Sequence, residues 1–325
     1  MKKTKKVVTP EIEEETKQPN SKEIVEKIIE LSPLKDFIEV QIIDLPQYTY
    51  GYFDWTNKEK TNLTEVKQDI QTETFEVSCS VTQDQITKLE DDFDIDVNVM
   101  VKNALMHEAA IGISKSTVAQ IGKIAEKNYL SDYTSVDKVK DWAYKFSNKF
   151  RFKKNLLGSR IDVEYKKKIK VNNVKDLLNA IIEESNKINF NGKFGYGNFA
   201  ICSVKTGCSL QMHSEYTVIS EKQELKSSNG MPYPIGMIAG ITIYVDPYML
   251  YGDTNVYIGC KTPAKYPGLK LFIYAYGIES VLQVEGIGAP KMIFKIRYVL
   301  TPVGDSANHL YRKIEYKHNL KIFLS

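Results

Sequence analysis

The sequence predicts a mixed α+β fold on three observations. A helical periodicity runs from Val97 to Tyr129 with no proline in it. Phe75, Val77, Cys79 and Val81 alternate at the period of a strand. From residue 235 onward, apolar runs of strand length are separated by Asp246-Pro247, Pro263, Pro267 and Gly268.

The elements follow in chain order. Residues 1–20 are charged and nearly free of large apolar side chains, the composition of a disordered or partner-dependent arm. Ser21-Lys-Glu-Ile24 opens a short helix with Ile24, Ile28, Ile29 and Leu31 near helical spacing, and Pro33 stops it. Residues 36–81 change period. Phe37, Val40, Ile42 and Ile43 precede the aromatic run Tyr48, Tyr50, Tyr52, Phe53 and Trp55. A polar stretch from Thr56 to Thr74 then leads to the Phe75–Val81 alternation. This predicts two β segments joined by a long polar loop, a projecting hairpin with little core of its own. Its aromatics must pack on a neighbouring molecule or on their own domain.

Thr82-Gln-Asp-Gln85 has capping-box spacing and predicts a short helix. In Asp91-Asp-Phe-Asp-Ile-Asp96 the calcium-loop glycine and distal glutamate are missing, so Asp94 or Asp96 is read as the cap of the next helix. That helix, 97–129, would span about 45–50 Å, a strut rather than a core filler. Gly112 and Gly122 weaken it by roughly 1 kcal/mol each but allow close approach. Residues 130–172 are mixed, with basic clusters at 149–154 and 166–170. These suit a solvated face first, and DNA or an acidic neighbour second.

Val174, Leu177, Leu178, Ile181, Ile182 and Ile188 form a second amphipathic helix, capped by Asn172 or Asn173. A glycine turn at 192–197 precedes a short buried strand, Asn198–Ser203, and lacks the spacing of any phosphate loop. Strands are predicted at 237–245, 254–260, 270–276 and 291–300, with a Gly-rich turn at 281–290. The last strand therefore returns after an excursion covering 200–290.

Composition narrows the class. The 325 residues are 42% hydrophobic and 26% charged, enough for a substantial core. Net charge is only +3, from 44 basic and 41 acidic residues, which argues against a dedicated nucleic-acid reader. Tyrosine, with 20 copies, suits large interfaces and ligand grooves alike. Cys79, Cys202, Cys208 and Cys260 form no CxxC pair and read as reduced thiols of a cytoplasmic protein. The basic start, Met1-Lys-Lys-Thr-Lys-Lys6, lacks the apolar stretch of a signal peptide, and no run approaches the ~20 apolar residues of a membrane helix.

Chemistry is sparse. The four histidines, His107, His213, His309 and His318, stand in no nucleophile or zincin motif. Cys202, Cys208 and His213 lack an evident fourth ligand at metal spacing. No catalytic residue, cofactor or metal is therefore expected.

Four segments in one order carry a family resemblance. They are Thr74–Ile86 running into the long helix, Gly195–Ser203, Gly236–Tyr248 with Tyr257–Thr262, and Leu271–Tyr276 followed by Lys295–Leu300. Together they resemble the major capsid protein of contractile-tailed bacteriophages over most of residues 74–129 and 174–312.

The resemblance implies the Hong Kong 97 phage capsid fold. On that plan 1–35 is an N-terminal arm with a short helix, and 36–81 an extended loop lying over the next subunit. Residues 82–199 are a peripheral domain with the spine helix 97–129, 200–290 an axial domain, and 291–325 a return strand and tail. The implied function is self-assembly into hexamers and pentamers of an icosahedral head around double-stranded DNA. Copies of itself, portal, vertex or decoration proteins and weakly held DNA would be partners. Synthesis would be in the host cytoplasm, with no membrane involved.

Tyr48, Tyr50, Tyr52, Phe53 and Trp55 are expected as interface anchors, and Lys149, Arg151, Lys153 and Lys154 as contacts to acidic neighbours or DNA. Gly240, Tyr244, Asp246, Pro247 and Tyr248 are expected to frame the axial domain. A vertex paralogue, an encapsulin-type compartment shell, and a soluble tyrosine-rich binding module or unrecognised enzyme are the alternatives.

Overall fold

The computed structural model describes residues 21–54, 64–80, 83–93, 96–149, 170–171, 173–212, 217–218, 230–281 and 291–316. The chain opens with α1 (Ser21–Leu31) and α2 (Leu34–Phe37), then β1 (Glu39–Ile42), β2 (Gln47–Asp54), β3 (Thr64–Gln71) and β4 (Glu73–Ser80). Helix α3 (Gln83–Phe93) precedes the long α4 (Val97–Lys149). Next come β5 (Lys170–Val171), α5 (Val174–Gly192), β6 (Phe199–Cys202), α6 (Val204–Gln211), β7 (Thr217–Val218), β8 (Tyr233–Ile238), β9 (Ile241–Val245) and β10 (Asn255–Gly259). The long β11 (Gly268–Val281) and β12 (Lys291–Val303), a 3₁₀ turn at Asp305–His309 and β13 (Tyr311–Tyr316) complete the described chain. The α+β class expected from the sequence is the class observed.

The strands form a four-stranded sheet in the order β1-β11-β12-β4, a seven-stranded sheet in the order β5-β13-β10-β6-β9-β8-β7, and the separate hairpin β2-β3. Helix α4 ties the two larger sheets together. A Cβ at Gly112 would lie 2.9 Å from the Phe75 ring of β4, and one at Gly122 3.2 Å from Tyr257 of β10. The glycines therefore allow the close approach expected of them, one at each sheet. Asn128 Nδ2 adds a 2.8 Å hydrogen bond to the Tyr311 carbonyl of β13.

Predicted caps are in place. Asp96 accepts the Val99 N–H at 3.1 Å, opening α4. Asn173 accepts the Asp176 N–H at 2.8 Å, opening α5. α5 ends with Lys193 in the left-handed region, at φ 63°.

Several expectations are corrected. The strut does not stop at Tyr129: α4 runs 53 residues to Lys149, about 80 Å, because no proline or glycine interrupts residues 123–149. The stretch read as a polar loop contains β3, which pairs along all of β2, from Gln47↔Gln71 to Asp54↔Thr64. Only Val66 and Ile70 are apolar on its inner side, so its alternation was too faint to read as a strand.

The strand expected at 237–245 is a hairpin of β8 and β9. Ala239 and Gly240 turn it at φ 48° and 81°, the positive pair that a two-residue hairpin loop needs. α6 was not anticipated. β11 pairs with β1 and β12, so the excursion predicted as 200–290 closes near residue 260 instead. Residues 311–316, read as a tail, return to the seven-stranded sheet as its second strand, between β5 and β10. The turn region 282–290 lies outside the described residues. Among the described residues no helix is long and apolar enough to cross a membrane.

Candidate functional site

Three surfaces answer to the residues singled out in the sequence. The first is the aromatic hairpin. β2 alternates, placing Tyr48, Tyr50 and Tyr52 on one face. Tyr50 and Tyr52 are 1% and 7% exposed and pack with Ile43, Ile70, Phe272 and Val303 in a small core of the same chain. The Tyr50 ring meets Phe272 edge-on at 5.2 Å. Its hydroxyl accepts the Lys265 N–H at 2.8 Å, and burial raises its pKa.

Tyr50 and Tyr52 are thus corrected from interface anchors to structural residues. Their face points onto the four-stranded sheet, so their side chains are not free for a neighbour. Tyr48 remains 38% exposed at the hairpin base, and Phe53 is half-buried. Trp55 lies outside the described residues.

The second surface surrounds the segment from Gly240 to Tyr248. Tyr244 is 5% exposed, with its ring 4.7 Å from Phe37 in an edge contact. Burial, with Asp36 nearby, pushes its hydroxyl pKa upward. Asp246 is buried and accepts the Tyr248 N–H at 3.0 Å, while the Met249 N–H reaches the Asp246 carbonyl at 3.3 Å. Burial raises the Asp246 pKa, opposed by that N–H and by Lys115. The carboxylate holds a turn, and no nucleophile or second acid is paired with it among the described residues. Pro247 is exposed, and beyond it Tyr248, Leu250 and Tyr251 are 47%, 79% and 68% exposed. The loop is held from behind: the Lys205 N–H bonds the Tyr251 carbonyl at 3.3 Å, and Ser203 Oγ bonds the Asp253 carbonyl at 2.9 Å. A hydrogen-bonded backbone therefore presents large apolar side chains to the outside.

The third is the basic cluster. Lys149 is the last residue of α4, while Arg151, Lys153 and Lys154 lie outside the described residues. Of the thiol set considered for metal, Cys202 is buried with its Sγ 3.6 Å from the Tyr244 carbonyl, and burial pushes its pKa up to about 12. Cys208 is exposed, and His213 lies outside the described residues.

Sequence reasoning missed a buried ionic network. Arg312 Nε donates to Glu184 at 2.8 Å with both side chains under 10% exposed, and Lys187 reaches the other Glu184 oxygen at 2.6 Å. Lys313 pairs with Glu126 of α4. Adjacent basic residues at 312 and 313 in an otherwise aromatic run were the available signal.

Comparison with known proteins gives one family. Residues 47–319 match the family model described as major capsid protein Gp23. No curated protein matches the chain. Among solved structures, that of Microbacterium phage Oxtober96 superposes with a TM-score of 0.49 at 11% identity, over 98% of this chain and 96% of that one. The bacteriophage PhiM1 mature capsid gives 0.46 at 9%, over 88% and 87%. The virus-like particle from Pyrococcus furiosus gives 0.45 at 12%, over 90% and 98%. The family match takes in the β2-β3 hairpin, all of α4 and every strand of the seven-stranded sheet: the chain belongs to the major capsid protein Gp23 family and is a structural protein of a capsid shell.

Proposed function

We propose that the chain is the repeating subunit of an icosahedral tailed-phage head of the contractile-tailed type, with the Hong Kong 97 fold, assembling into hexamers and pentamers around double-stranded DNA. The family match over residues 47–319 carries this reading. The architecture supports it. One 53-residue helix braces two sheets, and large apolar side chains stand exposed on an ordered loop. In this reading the four-stranded sheet and the first half of α4 form the peripheral domain. The seven-stranded sheet forms the axial domain, with the 247–251 loop at its margin.

A closed shell needs heterologous contacts repeated at many sites, each burying on the order of 1,600 Å². Contacts of modest strength suffice because many act together. Tyr48, Phe53 and Trp55 are the hairpin residues left for such contacts. Lys149, Arg151, Lys153 and Lys154 would meet acidic neighbours or packaged DNA by nonspecific attraction. Portal, vertex and decoration proteins would complete the particle, built in the host cytoplasm.

Expression of the full chain followed by size measurement and negative-stain microscopy tests the proposal. Hexameric rings or shells are expected. A species that stays monomeric at high concentration would refute it. Pentamers occupying only the vertices of particles would assign the chain to a vertex paralogue, and shells that enclose protein cargo without nucleic acid would assign it to a compartment.

A further inference from the structure

The β2-β3 hairpin belongs to neither large sheet, and the loop that joins β10 to β11, residues 260–267, ties it down. The Lys265 peptide of that loop grips β2 twice. Its N–H bonds the Tyr50 hydroxyl at 2.8 Å, and its carbonyl accepts the Phe53 N–H at 2.7 Å. Lys265 holds φ at 70°, a left-handed conformation that is costly for a residue with a side chain. Pro267 and Tyr52 close on one point: a Cβ at Gly304 would lie 3.0 Å from the first and 2.8 Å from the second. Gln68 of β3 adds longer contacts to the body, 3.5 Å to the Pro302 carbonyl and 3.4 Å from the Gly304 N–H. The hairpin is thus held chiefly by one loop and a small apolar core.

The same loop rests on a buried ammonium. Lys270 of β11 is fully buried, and its Nζ donates to the Pro263 carbonyl at 2.9 Å and to the Thr262 hydroxyl and carbonyl at 3.3 and 3.4 Å. Thr262 Oγ1 donates in turn to the Pro267 carbonyl at 2.7 Å. Every acceptor of Nζ is a neutral oxygen. Of the charged groups around it, Glu39, its register partner on β1, favours the charge and Lys261 of the loop opposes it, while its partner on β12, Thr301, is uncharged. Neutral oxygens offset only part of the cost of taking an ammonium out of water, and burial lowers the Lys270 pKa to about 8. Lifting the loop returns Nζ to water. We propose that residues 260–267 are a latch, that loop and hairpin lift and reseat together while the two large sheets stay folded, and that the charge on Lys270 sets how readily they do so. The closed latch prefers the neutral amine and the open one an ordinary lysine, so opening is easiest below about pH 8 and becomes harder as the pH rises from there. The device belongs to the subunit and operates whether or not a shell forms.

Thiol labelling of the full chain, read by peptide mass spectrometry, is the test. Val303 is fully buried in the small core under the hairpin, so the variant V303C places a probe there. Native Cys202, buried in β6, reports opening of the body in the same sample. The introduced thiol should label at least about tenfold faster than Cys202. Low denaturant should leave its rate unchanged while that of Cys202 climbs. Corrected for the thiolate fraction, its rate should fall as the pH is raised above about 8. In V303C/K270M it should be about tenfold slower at neutral pH and should lose that pH dependence. Equal rates for the two thiols, or a rate that K270M leaves unmoved, would overturn the inference. Amide hydrogen exchange gives a reading on the unsubstituted chain: the Phe53 and Lys265 amides should exchange well before those of Ile201 in β6 and Ile243 in β9. Equal protection at the two places would overturn it as well.

Discussion

The two large sheets ask different things of their side chains. β6 is buried at every residue and β9 at four of five, so the middle of the seven-stranded sheet is covered on both faces. β4, at the edge of the four-stranded sheet, alternates instead: Phe75, Val77 and Cys79 are half-buried, while Thr74, Glu76 and Ser78 face outward. One sheet is sealed inside the subunit. The other is buried along β11 from Gly268 to Ile273 and keeps outward side chains along its β4 edge. Core-facing and outward-facing residues therefore sit on different strands, and substitutions can separate their effects.

The largest effect is expected in the sealed sheet. Arg312→Ala leaves the Glu184 carboxylate buried with only Lys187 near it, and should cost about 3–5 kcal/mol, read as a lowered midpoint in chemical denaturation. A loss below about 1 kcal/mol would mean that the pair is solvated in solution.

Next comes Lys270 in β11, fully buried, with Nζ 2.9 Å from the Pro263 carbonyl. Burial lowers its pKa to about 8 from 10.5. Between those values the unfolded chain holds more protons than the folded one, so stability should rise with pH across that window. The penalty is fully present below about pH 8 and is on the order of 3 kcal/mol at most. Lys270→Met should flatten the slope in pH-dependent melting.

Tyr50→Phe should cost about 1 kcal/mol, because the Lys265 N–H loses its acceptor while the ring stays packed. The smallest effect on the isolated subunit, within about 0.5 kcal/mol, is expected for Ser78→Arg on the open face. If that variant melts normally yet assembles poorly, the division between the sheets holds. If it assembles as the native chain does, the open face of β4 is not a contact.

What the sequence disclosed follows the same division. Strong local signals were legible: the α4 periodicity, the Asp96 and Asn173 caps, and the punctuation by Asp246-Pro247. Features set by distant partners were not. β13 looked like a basic tail because Arg312 and Lys313 are read as solvent-facing until Glu184 and Glu126 are brought to them. β3 looked like a loop because its strand character comes from pairing with β2. Tyr50 and Tyr52 looked like anchors for another molecule because Phe272, which covers them, is more than 200 residues away. Of the candidate surfaces, the Gly240–Tyr248 segment was found by motif. The apolar display at 248–251 became visible only when the backbone behind it was located.

The position of β13 also bears on how a subunit is born. Residues 311–316 pair with β10 and β5 and supply the cations for Glu184 and Glu126, yet the ribosome makes them after all of those partners. Until these contacts form, β10 lacks its neighbour on that side and Glu184 has only Lys187 beside it, and the gap closes by a long-range pairing of the slow kind. A nascent or truncated chain lacks the strand that locks α4 and α5 to the sheet. A subunit therefore acquires that lock only once residues 311–316 have been made.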